Sequence, residues 1–272
     1  LCLKFSLVHL LIFMKNVFLL TLFISISIFS QESIETRFID KAPLNIEKLI
    51  DADNFNTVYY INNNVLYQRN GDKTISYNNL QLGNIASANT FNSLKINLFY
   101  KDFNTAIILD NRLAEIFKID FNNRQPYRSV SYISTGNDNT LWVFNQDSQQ
   151  LEVFDYKNNN TRFKTLPISS GVLDIKSNYN YCWLLTNDYL LIYNYFGTLI
   201  SKIKNDGFTN LDESDGNIVL KKGNSLFYLK KESTEIIPVK IPNLLINQFL
   251  VTNETLYIYN NETLQKFQLK TN

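Results

Sequence analysis

The sequence predicts an all-β fold built from repeated four-stranded antiparallel units. Three observations predict it. Beyond about residue 50 the chain reads as short runs rich in Tyr, Phe, Ile, Leu, Val and Thr, with no convincing helical period. A turn followed by a strand recurs about every 40 residues. Four of the five prolines keep one offset from that recurring strand.

The aligned strands start at Thr57, Thr105, Thr140, Tyr181, Asn217 and Thr255, spaced 35 to 48 residues apart. Each follows a polar turn such as Asp53-Asn54-Phe55-Asn56, Lys101-Asp102-Phe103-Asn104 or Gly136-Asn137-Asp138-Asn139. Each leads through a second turn to another strand, at residues 65–68, 114–119, 151–156, 190–193, 226–229 and 264–269. The chain holds 38 Asn against 8 Gly. Asn tolerates left-handed backbone and bonds its own main chain, so few glycines are compatible with many turns. Pro43, Pro126 and Pro167 sit 14 residues before an aligned start and Pro242 sits 13 before. Proline cannot donate to a sheet ladder and suits the loop leading into a repeat.

A unit of about 40 residues with four short strands is one blade of a β-propeller. Six such units fit residues 31–272. The last repeat stops after its third strand, near Leu269, whereas an orphan strand, residues 35–40, precedes Pro43. This orphan shares Thr-Arg-Phe with residues 161–163, which precede Pro167. The expected architecture is therefore a six-bladed propeller whose N-terminal strand completes the last blade and closes the ring.

Over residues 33–270 the chain resembles the six-bladed propellers of the TolB-like and NHL-like group. Asp138-Asn139-Thr140-Leu141-Trp142-Val143 is similar to the core of two-component-regulator-type propeller repeats; Tyr60, Ile108, Trp183, Val219 and Tyr257 stand in the place of the tryptophan elsewhere. The resemblance implies architecture and supplies no catalytic residue.

Residues 1–30 read as lying outside the fold. Met14-Lys15-Asn16 opens a better start than Leu1, and apolar residues 17–29 follow, ending at Ser30-Gln31. That pattern predicts a secretory signal peptide cleaved after Ser30, with residues 1–13 an upstream extension. The alternative is an N-terminal membrane anchor over residues 5–29, with Lys15 placed mid-span at a cost. Cleavage makes residues 31–272 a single domain with no remaining membrane span, in the periplasm or outside the cell.

Cleavage also removes His9, Met14 and Cys2, and shifts the formal charge from +1 to −1 through loss of Lys4 and Lys15. No histidine is left for a general base or metal ligand, and Cys182 has no disulfide partner. The balanced charge gives no reason to expect nucleic acid as a partner. No catalytic, metal or cofactor site is predicted. Asp53, Asp102, Asp138 and Asp215 recur in turns and read as Asx-turn residues. Lys221-Lys222, Lys230-Lys231 and residues 212–215 read as solvated faces and turns. Tyr59, Trp142, Trp183, Phe227 and Tyr257 read as core between blades. Three Asn-x-Thr triplets, at Asn159, Asn253 and Asn261, are glycosylation sites only in a host with that pathway.

The expected function is non-catalytic: an exported interaction or scaffold protein that binds through one propeller face, with another envelope protein or a glycan as partner. The candidate binding residues are Asn62, Asn64, Asp110, Arg112, Asn145, Asp147, Asp188 and Lys222, assigned to second-hairpin turns gathered on one face. The alternative is a carbohydrate or other small ligand in the central funnel; a carboxylate- or Tyr-dependent lyase or glycosidase ranks below both.

Overall fold

The computed structural model describes residues 14–15, 32–53 and 57–271. The expected signal segment and its cleavage point, with Cys2 and His9, lie outside the described residues apart from Met14 and Lys15. The described chain divides into two compact units, Leu1–Ser33 and Ile34–Asn272.

The second unit opens with β1 (Ile34–Pro43). Five groups of strands follow in chain order: β2 (Lys48–Ala52), β3 (Thr57–Asn62), β4 (Val65–Asn70) and β5 (Lys73–Tyr77); β6 (Ser87–Asn89), β7 (Ile96–Tyr100), β8 (Thr105–Leu109) and β9 (Glu115–Asp120); β10 (Val130–Thr135), β11 (Thr140–Asn145), β12 (Gln150–Asp155) and β13 (Asn160–Lys164); β14 (Val172–Ser177), β15 (Tyr181–Thr186), β16 (Tyr189–Asn194) and β17 (Leu199–Lys204); β18 (Asn210–Ser214), β19 (Asn217–Lys222), β20 (Ser225–Leu229) and β21 (Ile236–Lys240). The chain ends with β22 (Gln248–Thr252), β23 (Thr255–Asn260) and β24 (Thr263–Lys270). The first four groups form separate four-stranded antiparallel sheets. The remaining strands form one eight-stranded sheet, ordered β18-β19-β20-β21-β1-β24-β23-β22. The strand ladder joins its two halves where β1 and β21 pair in parallel, Ile34 with Val239 and Glu35 with Lys240.

The orphan strand lies where its sequence placed it. β1 pairs antiparallel with β24, from Glu35 opposite Lys270 to Pro43 opposite Thr263. Phe38 packs edge-to-face on Phe267 with ring centres 5.6 Å apart. The first and last strands of this unit are thus laced into one sheet.

The first strands of the groups touch in a cycle, β2–β6–β10–β14–β18–β22 and back to β2. Among the described residues six apolar clusters lie outside this cycle, each shared by neighbouring groups. β7 and β8, wedged between two clusters, are buried at every position and apolar apart from Asn97 and Thr105. Tyr59, Trp142, Trp183 and Tyr257 are buried in these clusters, and Phe227 packs against one. Truncation of a side chain like Trp142 to Ala costs about 3–5 kcal/mol. Cys182 is a buried thiol whose pKa burial pushes well up.

Asparagine does supply the left-handed turns. Asn63, Asn64, Asn104, Asn159, Asn253 and Asn261 have φ between 45° and 60°. Of the aspartates read as Asx residues, Asp53 accepts the Thr57 N–H at 2.8 Å, whereas Asp138 and Asp215 occupy left-handed backbone themselves.

One repeat was aligned a strand too late. Thr105 begins β8, the third strand of its sheet, not the second as expected; the true counterpart of Thr57 and Thr140 is Ile96, at the start of β7. Residues 114–119 accordingly fall mainly in the fourth strand, β9. In place of the tryptophan of Trp142 stand Tyr59 and Leu98, not Tyr60 and Ile108. The turn chemistry shows the slip independently. Asn64 donates to Gly83 O at 2.6 Å and accepts from Ile85 N at 2.7 Å. Asn104 makes the same clamp on Arg128 O (2.6 Å) and Val130 N (3.0 Å), and Asn224 on Leu244 O (2.6 Å) and Ile246 N (2.7 Å). All three end the turn between second and third strands and fasten the segment leading into the next group of strands.

Candidate functional site: the axial channel

The six first strands surround a channel. Cross-strand pairing puts Asp51 opposite Tyr59, Ala88 opposite Leu98, Ser134 opposite Trp142, Lys176 opposite Trp183, Asp212 opposite Val219 and Leu250 opposite Tyr257. Paired residues share a sheet face. Asp51, Lys176 and Asp212 line the cavity on the axis and form one rung of the channel, Ser134 is buried beside them, and Ala88 and Leu250 pack with their partners in the inter-sheet cores.

These side chains form a polar belt from sheet to sheet. Thr90 Oγ1 donates to Asp51 Oδ2 at 2.5 Å. Asn89 Nδ2 donates to Ser134 Oγ at 3.2 Å and accepts from Thr135 Oγ1 at 2.7 Å. Ser177 Oγ lies 2.7 Å from Ser134 Oγ. Asp174 Oδ2 accepts Leu211 N at 3.0 Å, Lys176 Nζ lies 2.6 Å from Asp212 Oδ1, and Asp212 Oδ2 accepts Val251 N at 2.7 Å. Gln248 Oε1 accepts Leu49 N at 2.6 Å, and Thr252 Oγ1 donates to Ala52 O at 2.7 Å, which completes the circle. Each neutral bond contributes roughly 0.5–1.5 kcal/mol and the charged ones more.

Burial sets the proton affinities. It pushes the carboxyls of Asp51 and Asp174 up, against the opposing pull of Thr90 on the first and Lys176 on the second. Burial alone would lower Lys176, but the charges of Asp212 and Asp174 outweigh it and hold the ammonium well above the usual lysine range. Lys48 is lowered by burial and by the charge of Lys176. Glu213 is pushed up to about 7 by burial and the Asp212 charge, despite bonds from Gly216 N and Asn178 Nδ2.

Two cavities meet at this rung and share Ile50, Ala88, Asn89 and Lys176. One, of about 390 Å³, opens past Lys48, Asn210, Lys221 and Gln248. The other, of about 330 Å³, opens past Asp53, Phe91, Glu213 and Asp215. Phe91 stacks edge-to-face on Tyr179 beside this acidic mouth, with centroids 4.9 Å apart. Among the described residues no group of three His, Cys, Asp or Glu side chains is placed to hold a metal ion.

The eight sequence-chosen residues do not share one face. Asn62, Asn64, Asn145, Asp147, Asp188 and Lys222 lie at or beside turns between second and third strands, at one end of the sheets. Asp110 and Arg112 lie in the β8–β9 turn, which antiparallel alternation puts at the other end, a consequence of the one-strand slip. Several serve the fold. Besides the Asn64 clamp, Asn145 is buried and reaches Glu152 Oε1 at 3.4 Å, Asp188 N donates to Ser170 Oγ at 3.1 Å, and Lys222 pairs with Asp206 at 3.3 Å. Asp110 accepts the N–H groups of Ala114 and Arg112, which hold its carboxyl below the usual range. The channel residues were missed. Asp212 and Glu213, read as turn residues, belong to β18 and line the axis. Their signal was a charge set inside an apolar run, as in Lys48-Leu49-Ile50-Asp51 and Leu173-Asp174-Ile175-Lys176.

No family model and no curated protein matches the chain. Solved structures do. Virginiamycin B lyase from Staphylococcus aureus superposes with a TM-score of 0.59 at 12% identity, over 86% of this chain and 99% of that one. A catalytically inactive form of that lyase, with a histidine replaced by alanine and solved with quinupristin, gives 0.57 at 12%, over 86% and 99%. The Neurospora crassa Pan2 WD40 domain gives 0.56 at 7%, over 84% and 76%. Identities this low speak for the fold, and they place the chain among β-propellers with four-stranded antiparallel blades.

Proposed function

We propose that this chain is a non-catalytic interaction protein: a six-bladed propeller, counting the eight-stranded sheet as two blades, exported to the cell envelope or beyond it. The observation that carries the reading is the belt. Asp51, Asp174, Lys176 and Asp212, the charges best placed for chemistry on the axis, each bond to a neighbouring blade or its inner-strand loop, and so serve ring assembly. The six-membered cycle of inner strands and the six inter-blade cores support the blade count. The lyase neighbour is inactivated by loss of a histidine, whereas the chain after Ser30 has none. Residues 14–30 support export through their charge and apolar pattern.

Co-purification and proximity labelling from the native source test the reading. A reproducible envelope partner is expected; recovery of the protein always alone and freely soluble would overturn it. Mass spectrometry of the mature N-terminus is expected to show Gln31 first, and a chain retaining Met14 would contradict cleavage. The second reading, a small ligand in the channel, is favoured by the two cavities that meet at Lys176. A saturable ligand lost in Lys176→Met with the fold intact would establish it.

A further inference from the structure

We infer that the outer edge of β17 is the partner-binding strand: it takes up an extended segment of another protein, carrying apolar and acidic residues in alternation, as an added β-strand. This rests on the interaction reading above and gives it a place on the molecule.

β17 is the free margin of its sheet. A free margin offers unpaired N–H and C=O groups, and proteins ordinarily blunt it. Here it is not blunted with polar groups alone. Leu199 and Ile200 are 45% and 56% exposed, and Tyr195 and Phe196, in the turn leading into the strand, are 42% and 63% exposed. The other free outer strands show less: β5 exposes Ile75 and β9 exposes Ile116. Grooves flank β17 on both faces. One, of about 510 Å³, is lined by Leu199 and Lys202 with Phe163, Leu166, Tyr189 and Leu191. The other, of about 260 Å³, is lined by Ile200 and Ser201 with Trp183, Ile218 and Leu229. Gly197, at φ +80°, lets the turn lie on the Phe163 ring; a Cβ there would fall 1.8 Å from Phe163 Cδ1. Successive side chains of an added strand point to opposite faces, so they would fill the two grooves alternately.

The molecule carries its own example of such an addition. At β21 the first residues of β1 join a blade's outer edge in parallel. Ile34 enters the apolar cluster between the flanking strands, Glu35 pairs with Lys240 at 2.8 Å, and Thr36 Oγ1 donates to Lys240 O at 2.6 Å. An apolar residue in the groove and a carboxylate on the edge lysine are the elements of that contact. β17 presents the same pair of features, Leu199 and Ile200 beside Lys202 and Lys204, and among the described residues no strand pairs with its outer edge. The lysines also select the occupant. A second copy paired edge-to-edge would bring four lysines to one seam, whereas an acidic segment is complementary.

The test uses the chain from Gln31 onward, which contains the whole compact unit. A short labelled peptide alternating isoleucine and glutamate is titrated by fluorescence anisotropy, and amide exchange is followed with and without it. Saturable binding is expected, with slowed exchange over residues 199–204 and not over β5, β9 or β13. Binding is expected to weaken at least about tenfold in Leu199→Glu/Ile200→Glu and with an isoleucine–lysine peptide. Ile116→Glu is expected to bind like the parent, and equal melting temperatures establish that the variants fold. Absent binding, protection spread over all outer strands, unchanged affinity in the double variant, or dimerisation through β17 would each overturn the inference. The native partner separates the two levels. If the double variant still captures the envelope partner, the interaction reading stands and the β17 site falls. If neither form captures one, the interaction reading falls, and the peptide result alone decides whether β17 accepts a strand.

Discussion

Lys176 and Asp212 join across the boundary between β14 and β18, Nζ to Oδ1 at 2.6 Å, and the second oxygen of Asp212 holds Val251 N of β22 at 2.7 Å. One carboxylate therefore ties three consecutive inner strands. Charges in the middle of a propeller invite a catalytic interpretation. Their bonding also fastens the inner strands to one another.

Replacing Asp212 with alanine is expected to leave Lys176 without its nearest partner and Val251 N without an acceptor. The loss of charge-assisted bonds should lower stability by about 2 kcal/mol. Urea denaturation at neutral pH measures it. A change within a few tenths of a kcal/mol would mean the belt is incidental.

A second ion pair is more deeply enclosed. Arg128 and Glu152 have side chains 1% and 0% exposed, with Arg128 Nε 2.9 Å from Glu152 Oε2. Arg128 also bonds Pro126 O and Thr161 Oγ1, both at 2.8 Å, and lies over the Phe154 ring. Burial would raise the Glu152 carboxyl, but Arg128 and Thr161 outweigh it and hold it below the usual range. Arg128→Met removes the nearest charge from the buried carboxylate, which keeps Thr161 Oγ1 at 2.8 Å and the more distant Lys164 Nζ at 3.6 Å, and is expected to cost about 3 kcal/mol. Adding Glu152→Gln should recover much of that loss, since no buried charge then stands alone. Equal stability of the single and double variants would contradict the assignment.

Glu213 predicts a pH effect of unusual sign. Its carboxyl, pushed up to about 7, holds its proton in the folded chain at pH values where the unfolded chain has released it. Its contribution therefore becomes less favourable as pH rises from about 4.5 towards 7, with the full penalty present above that window. Glu213→Gln keeps an acceptor for Gly216 and removes the charge. It should stabilise the protein by about 1–2 kcal/mol near pH 8 and change little near pH 4. Denaturation curves of both proteins across that range decide, and a constant difference between them would refute the shift.

The clamps of Asn64 and Asn104 are equivalent in geometry and should be equivalent in energy. Alanine at either position leaves two backbone groups of the following loop without partners, at about 1–2 kcal/mol. A loss at Asn64 with none at Asn104 would reopen the strand assignment of the second blade.

The repeat was legible because its punctuation is chemical: asparagine turns, prolines before the blades, and aromatic residues at a fixed step into the second strand. The closing strand was legible from Thr36-Arg37-Phe38, since an outer strand keeps its pattern wherever it stands in the chain. The second blade was misread for local reasons. Its inner strand β6 has three residues, no proline marks its approach, and Lys101–Phe103 forms a short 3-10 turn that imitates the turn before a second strand. The axis was legible only in part. Lys48 and Asp51 flank the apolar pair Leu49-Ile50, but whether such charges meet solvent or the neighbouring inner strands is decided by the packing of separate sheets and not by local sequence. The two-sided grooves at β17 were hidden likewise, since neighbouring blades supply half of each wall.

The most direct measurement concerns closure. Arg37 and Gln268 stand opposite each other in β1 and β24. Cysteines introduced at both positions, in a chain beginning at Glu32 with Cys182 replaced by serine, should form a disulfide almost completely under mild oxidation. The linked form should melt well above the reduced form, because the bond spans nearly the whole unit. Thiols that stay free, or a disulfide that leaves the melting temperature unchanged, would contradict a ring fastened by its own N-terminal strand.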